Sequence, residues 1–151
     1  MSSTREDVYR RFVAAVSSGD AVAAYQYTVP ERFRAILRNK QQTPRGSGLD
    51  SMNFAKFMRE INRQRTAFPD LGQNVVVHDI SEDGDCLVAT YVMTMRFTGP
   101  LRSYNGERAA QPPNGATLVI SSQDHVRFEG TRIVEFKVVT DPHDTLDQLF
   151  G

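Results

Sequence analysis

Apolar and polar positions along this chain fall into two regimes. In the first, apolar residues recur every three or four positions, as on one face of a helix. Val8, Phe12, Val13 and Val16 form such a stripe. Thr4 can cap the helix that carries it, which begins near Arg5, and Glu6 and Asp7 suit the positive end of the helix dipole. Gly19 ends this helix, and Asp20 caps a short second one from Ala21 to about Tyr27, ahead of Pro30. Phe33 to Asn39 suits a short helix or a strand. Gln41 to Asp50, with Pro44, Gly46 and Gly48, reads as a mobile loop. A third helix, capped by Asp50 or Ser51, is predicted from roughly Met52 to Ala67. Its apolar stripe is Phe54, Phe57, Met58 and Ile61, which leaves Arg59, Arg63 and Arg65 on a solvated face.

After Pro69 the character changes to β-prone runs. Val75 to Ile80, Cys86 to Phe97, Thr117 to Phe128 and Arg132 to Thr140 read as strands. Glu82-Asp83-Gly84-Asp85 and Glu129-Gly130 are turns between them, and Pro100 to Gly115 is a Pro/Gly-rich loop carrying Tyr104. Strands joined by short turns make an antiparallel meander. Helices followed by strands signal an α+β fold, here one domain over residues 1–151.

Composition changes this picture little. A chain of 151 residues with 40% apolar and 24% charged residues has enough core to fold without disulfides or metal. Zero formal charge and the lack of a polybasic run argue against nucleic acid or an anionic membrane as partner. The single Cys86, the polar start from Met1 to Asp7 and the lack of a long apolar stretch predict a soluble cytoplasmic protein. No histidine pair has metal-ligand spacing, no Gly-x-Ser-x-Gly turn is present and no Gly-rich phosphate loop occurs, so neither metal nor cofactor is expected.

Short motifs then give the chain a family resemblance. Ala67-Phe68-Pro69-Asp70-Leu71 resembles the "AFPDL" that closes the third helix of SnoaL-like polyketide cyclases. Phe97-Thr98-Gly99 is similar to their "HTG", Pro112-Pro113-Asn114-Gly115 to "PPTG", and Asp124-His125-Val126-Arg127-Phe128 to "D-x-F-R-F". Arg132-Ile133-Val134-Glu135 is similar to "K-I-V-E", the tail from Leu146 to Gly151 to "LLQQLG", and Gly19-Asp20 to the "GD" between the first two helices. The resemblance implies the cone-shaped nuclear-transport-factor-2-like fold, with three N-terminal helices on a curved antiparallel sheet of about four to five strands. It also implies a homodimer, and an aspartate that removes a proton beside a carbonyl so that a ring closes. That role falls on Asp124.

The residues themselves point the same way for Asp124. It shares strand parity with Val126 and Phe128, so its carboxylate sits among apolar side chains, where its pKa should rise toward that of a useful base. A carboxylate paired with a buried arginine for structure is the other reading. His125 has the opposite parity and is expected on the outer face; His78 and His143 have no supporting pattern. Cys86 follows an acidic turn, which disfavours a thiolate, and reads as a small apolar residue. Arg38, Asn39 and Arg96 are the polar candidates opposite Asp124, the arginines as enolate stabilisers and Asn39 as a substrate contact. Tyr25, Phe54, Met58, Met93, Met95, Phe97 and Phe128 are candidate lining for a hydrophobic pocket, and Tyr104 a candidate donor from the loop. The chain departs from its relatives in having Glu135-Phe136-Lys137-Val138 for "E-H-W-D" and Phe97 for the histidine of "HTG", which makes the expected cavity more apolar.

Three functions fit these residues. The first is a cofactor-independent cyclase or isomerase of secondary metabolism, acting on a polyketide- or terpenoid-like intermediate by proton transfer from Asp124. The second is an epoxide or lactone hydrolase, with Asp124 activating water and Arg96 and another carboxylate assisting. The third is a non-catalytic small-molecule binding module.

Overall fold

The computed structural model describes residues 3–39, 51–102 and 112–140. The element order is α1 (Thr4–Ser17), α2 (Ala21–Tyr25), β1 (Arg34–Asn39), α3 (Phe54–Ala67), β2 (Val75–Asp83), β3 (Cys86–Arg96), β4 (Thr117–Glu129) and β5 (Arg132–Thr140). The segment from Gln41 to Asp50 expected to be a mobile loop, together with Tyr104 and His143, lies outside the described residues.

Local chemistry explains the helix boundaries. Ser3, rather than Thr4, caps α1 by accepting the Glu6 N–H, and Gly19 leaves the helix at φ 77°. Asp20 caps α2 by accepting the Ala23 N–H. Asn53, rather than Asp50 or Ser51, caps α3 by accepting the Lys56 N–H, so the helix starts two residues later than the apolar pattern suggests. Met52 is instead drawn into a two-bond bridge with Ala35.

The five strands form one sheet in the order β1-β5-β4-β3-β2. The β2–β3, β3–β4 and β4–β5 pairs are antiparallel, as the meander predicts. The ambiguous segment is a strand, and it corrects the all-antiparallel expectation: β1 pairs with β5 in parallel, making the sheet mixed. Parallel neighbours need a long crossover, and here the chain passes through α3 and three strands before β5 returns beside β1. Irregularities between Val77 and Asp79 and between Arg127 and Phe128 break the ladders locally, as bulges that bend a sheet do.

Side chains on the inner sheet face alternate with those outside, most clearly along β4, where Leu118, Ile120, Ser122, Asp124, Val126 and Phe128 are all buried. The helices cover this face in two clusters. One joins Tyr9, Phe12, Phe33, Phe57, Phe128 and Phe136, with Phe136 stacked or tilted against Tyr9, Phe12 and Phe57 at 5.1–6.4 Å. The other joins Ala67, Phe68, Met95, Phe97, Leu118 and Ile120.

The Phe97-Thr98-Gly99 motif is the clamp between this second cluster and α3. Thr98 and Gly99 both donate their backbone N–H to the Ala67 carbonyl at the helix end. A Cβ on Gly99 would lie 1.8 Å from the Thr66 carbonyl oxygen, so only glycine fits. Because the obstacle is backbone, Gly99→Ala should cost about 3 kcal/mol, or roughly 6–12 °C in Tm. An unchanged thermal midpoint would show that the clamp is not needed.

Candidate active site

Residues of both clusters line one cavity of about 670 Å³, within the range of small-molecule sites. Its wall is mostly apolar, including Phe57, Phe136, Val138, Phe68, Met93 and Met95. Besides Arg10, Ser17 and Thr140, two polar groups interrupt it. One is Asp124, with Tyr9 and Tyr91; the other is Glu60, Arg63 and Gln64 on α3.

Asp124 is 2% exposed. On its strand neighbours it faces Ala89 and Val138. Tyr9 reaches it from α1 and donates to Oδ2 at 2.6 Å, while Tyr91, one inward position along β3 from Ala89, donates to Oδ1 at 2.9 Å. Ser122, opposite Tyr91 on β4, is buried beside this trio and donates to the Val139 carbonyl. None of the ion pairs among the described residues involves Asp124.

Burial pushes the Asp124 carboxyl up to about 6, and the two tyrosine hydrogen bonds, which favour the ionised form, hold it from rising further. Burial, reinforced by the Asp124 charge, raises both phenols, so they remain protonated donors. The group thus ionises near neutrality while staying dry and oriented, which is what a general base requires.

The other expected site residues separate. Met93 and Met95 line the cavity. Met58, Phe97 and Phe128 are buried in the packed core but are not part of the cavity wall; Phe97 packs on Phe68, and Phe128 lies under the Arg5 guanidinium. Phe54 packs between Phe33 and Tyr25, and Tyr25 is 41% exposed, so neither reaches the cavity. Arg96 is exposed: one position past Met95, it points to the opposite face of β3 and cannot meet Asp124. The backbone of Arg38 and Asn39 pairs with Val139 and Thr140, and their side chains, like Tyr104, lie outside the described residues.

His125 is half-buried on the outer face against Gln123, as its parity predicts, with its pKa lowered by burial and then by Lys137. Cys86 is exposed rather than an apolar filler. Its thiol is raised, chiefly by desolvation and then by its hydrogen bond to Asp85. Among the described residues no group of three or more His, Cys, Asp or Glu converges, and no helix is long and apolar enough to cross a membrane.

Five site residues, Tyr9, Tyr91, Glu60, Arg63 and Gln64, escape the sequence reading, three of them at positions where the pattern is instructive. Tyr9 lies three, four and seven residues before Phe12, Val13 and Val16, on the same helical stripe. Tyr91 shares the parity of Met93 and Met95. Helical phase puts Arg63 on the solvated face of α3, but its side chain turns back to Glu60 one turn away and joins the cavity wall.

The family model of SnoaL-like polyketide cyclases matches residues 6–149. The chain belongs to this family. A SnoaL-like polyketide cyclase candidate from Jannaschia sp. CCS1 superposes with a TM-score of 0.75 at 17% identity, covering 97% of this chain and 91% of that one. IdmH of Streptomyces antibioticus, a candidate polyketide cyclase, gives 0.72 at 20% identity over 96% and 97%. AclR of Streptomyces galilaeus, a candidate hydroxylase, gives 0.69 at 19% identity over 96% and 83%. At these identities the likeness extends to the SnoaL-like fold alone. No curated protein matches the chain.

The raised carboxyl carries a sign for stability. Its folded-state pKa of about 6 exceeds the ordinary 3.8, so the folded protein holds this proton more tightly than the unfolded chain. The stabilisation from protonated Asp124 is complete below 3.8 and is lost as pH rises through about 6. Above that it leaves the folded state roughly 3 kcal/mol less stable than with an unperturbed carboxyl. Asp124→Asn should therefore gain on the native chain between pH 4 and pH 7.5 by up to about 3 kcal/mol. Urea midpoints at the two pH values measure this, and a stability difference that does not change with pH would mean the carboxyl is not perturbed.

Proposed function

We propose that this protein is a cofactor-independent cyclase or isomerase of secondary metabolism, acting on a hydrophobic polyketide- or terpenoid-like carbonyl compound, with Asp124 as general acid/base. The observation that carries this reading is the geometry of Asp124: dry, facing a cavity, fixed at both oxygens by phenols and unpaired with any cation among the described residues. Membership of the SnoaL-like polyketide cyclase family supports it.

Each carboxylate oxygen has a second lone pair besides the one its tyrosine uses. In the reading proposed, ionised Asp124 takes a proton from carbon beside a substrate carbonyl. The C–H electron pair passes into the carbonyl as an enolate. In cyclisation, the enolate carbon attacks a second carbonyl carbon and the resulting alkoxide takes the proton back from Asp124. In isomerisation, the proton returns to a different carbon. Tyr9 and Tyr91 keep the carboxylate ionised and aimed but are not themselves consumed.

The competing functions lose support at particular residues. A hydrolase arrangement built on Arg96 lacks that arginine, which lies on the outer face. A pure binding module has no use for a buried carboxylate that destabilises the fold near neutral pH, whereas such strain is common at catalytic sites.

Exchange of the α-hydrogens of 2-tetralone in D2O, followed by NMR, provides an assay that needs no native substrate. The protein should accelerate exchange, and Asp124→Asn should reduce the acceleration by roughly 10²–10⁴-fold. The rate should climb with pH through about 6 and then level, because only the ionised carboxylate accepts a proton. Tyr9→Phe and Tyr91→Phe each remove a bond that lowers the Asp124 pKa, so each should move this rise to higher pH. Full exchange activity in Asp124→Asn would refute the assignment.

A further inference from the structure

The second polar group in the cavity is more elaborate than a structural ion pair needs to be. Glu60 lies one turn beyond Phe57 on α3, and its side chain is only 5% exposed. Arg63 grips it with a fork: Nε donates to Oε2 at 2.9 Å and Nη2 to Oε1 at 2.5 Å. Gln64 adds a bond from Nε2 to Oε1 at 3.2 Å. Arg63 Nη1 donates to the Arg102 carbonyl, which ties α3 to the chain beyond β3.

A buried ion pair of this kind contributes little net stability compared with apolar residues of the same volume. Most of the rest of the wall is apolar, so apolar residues would fit here. What the trio does provide is fixed, unspent hydrogen-bonding capacity. Arg63 has five N–H groups and uses three among the described residues. Among the described residues the Gln64 side chain retains its carbonyl oxygen and one N–H. Glu60 cancels the guanidinium charge, so the cluster offers directed donors and an acceptor without a net charge. That suits a neutral oxygen function better than a free anion.

Asp124 enters the cavity from the sheet, whereas Glu60, Arg63 and Gln64 enter it from the covering helix. We infer that Glu60, Arg63 and Gln64 form an anchor for a neutral carbonyl or hydroxyl group of the substrate, the rest of which spans the apolar cavity to Asp124. Arg63 donates to a carbonyl there, Gln64 accepts from a hydroxyl, and Glu60 is a positioning residue that fixes the guanidinium. This rests on reading the cavity as a hydrophobic substrate site. The substrate class it specifies is a largely apolar molecule with oxygen functions at two separated positions, one beside the acidic C–H and one at the helix.

Equilibrium dialysis with 2-acetylnaphthalene and its hydrocarbon isostere 2-isopropylnaphthalene tests the anchor without turnover. The protein should prefer the ketone, and Glu60→Leu/Arg63→Met should lose about tenfold or more of that preference, as expected for a hydrogen bond from a charged donor. This double variant replaces the buried pair by apolar residues and so should fold. Arg63→Lys keeps the charge but not the fork, and should lose part of the preference. Asp124→Asn should keep it.

An undiminished preference in both Arg63 variants overturns the anchor. Preference lost in Asp124→Asn but kept in the double variant overturns it too, while leaving Asp124 as the reading site for the carbonyl. If the wild-type protein binds neither probe, the anchor falls together with the hydrophobic substrate site. Binding with the anchor intact, but undiminished tetralone exchange in Asp124→Asn, removes the base assignment alone.

Discussion

A carboxylate held by two phenols, out of water and without a counter-charge, sets the terms for the rest of this structure. Removing Asp124 from water disfavours its charge, and no cation among the described residues compensates. Tyr9 and Tyr91 offset part of that cost with direct hydrogen bonds to its two oxygens. They come from different elements, so the trio exists only when α1 is seated on the sheet and β3 is in register with β4. The site and the tertiary fold are therefore a single problem.

The packing answers it on both sides of the carboxylate. Phe12, Phe57 and Phe136 lock α1 and α3 to β5, which fixes Tyr9 over the sheet. At the other end, Phe68 and Phe97 with the Gly99 clamp hold the close of α3 against β3. Between these clusters the side chains leave space rather than fill it. Phe136 stacks on Tyr9 and faces the cavity. The two polar clusters of the wall are the Asp124 trio and Glu60, Arg63 and Gln64.

Much of this was legible in the sequence because period and parity are local. The parity of β4 put Asp124 on the buried face and His125 outside, and the third-helix stripe put Phe57 inward. Parity also places Arg96 outside, one position out of phase with Met93 and Met95, even though it is the one charge in that run. What was not legible depends on contacts between distant segments. The parallel pairing of β1 with β5 joins residues about a hundred positions apart, and nothing in the Arg34–Asn39 segment announces its partner. The tyrosines that hold Asp124 lie 115 and 33 residues from it. Arg63 looked solvated because long side chains curl, and helical phase fixes where a side chain starts but not where its end goes.

The family's fold accommodates many reactions, so the chemistry has to be read from the site itself. For this chain that site reduces to whether Asp124 is a carboxyl tuned toward neutrality. Titration of the side-chain ¹³C signal of Asp124 in selectively labelled protein reports that directly. A midpoint near 6 is expected; one at or below 3.8 would contradict the central role given to this residue.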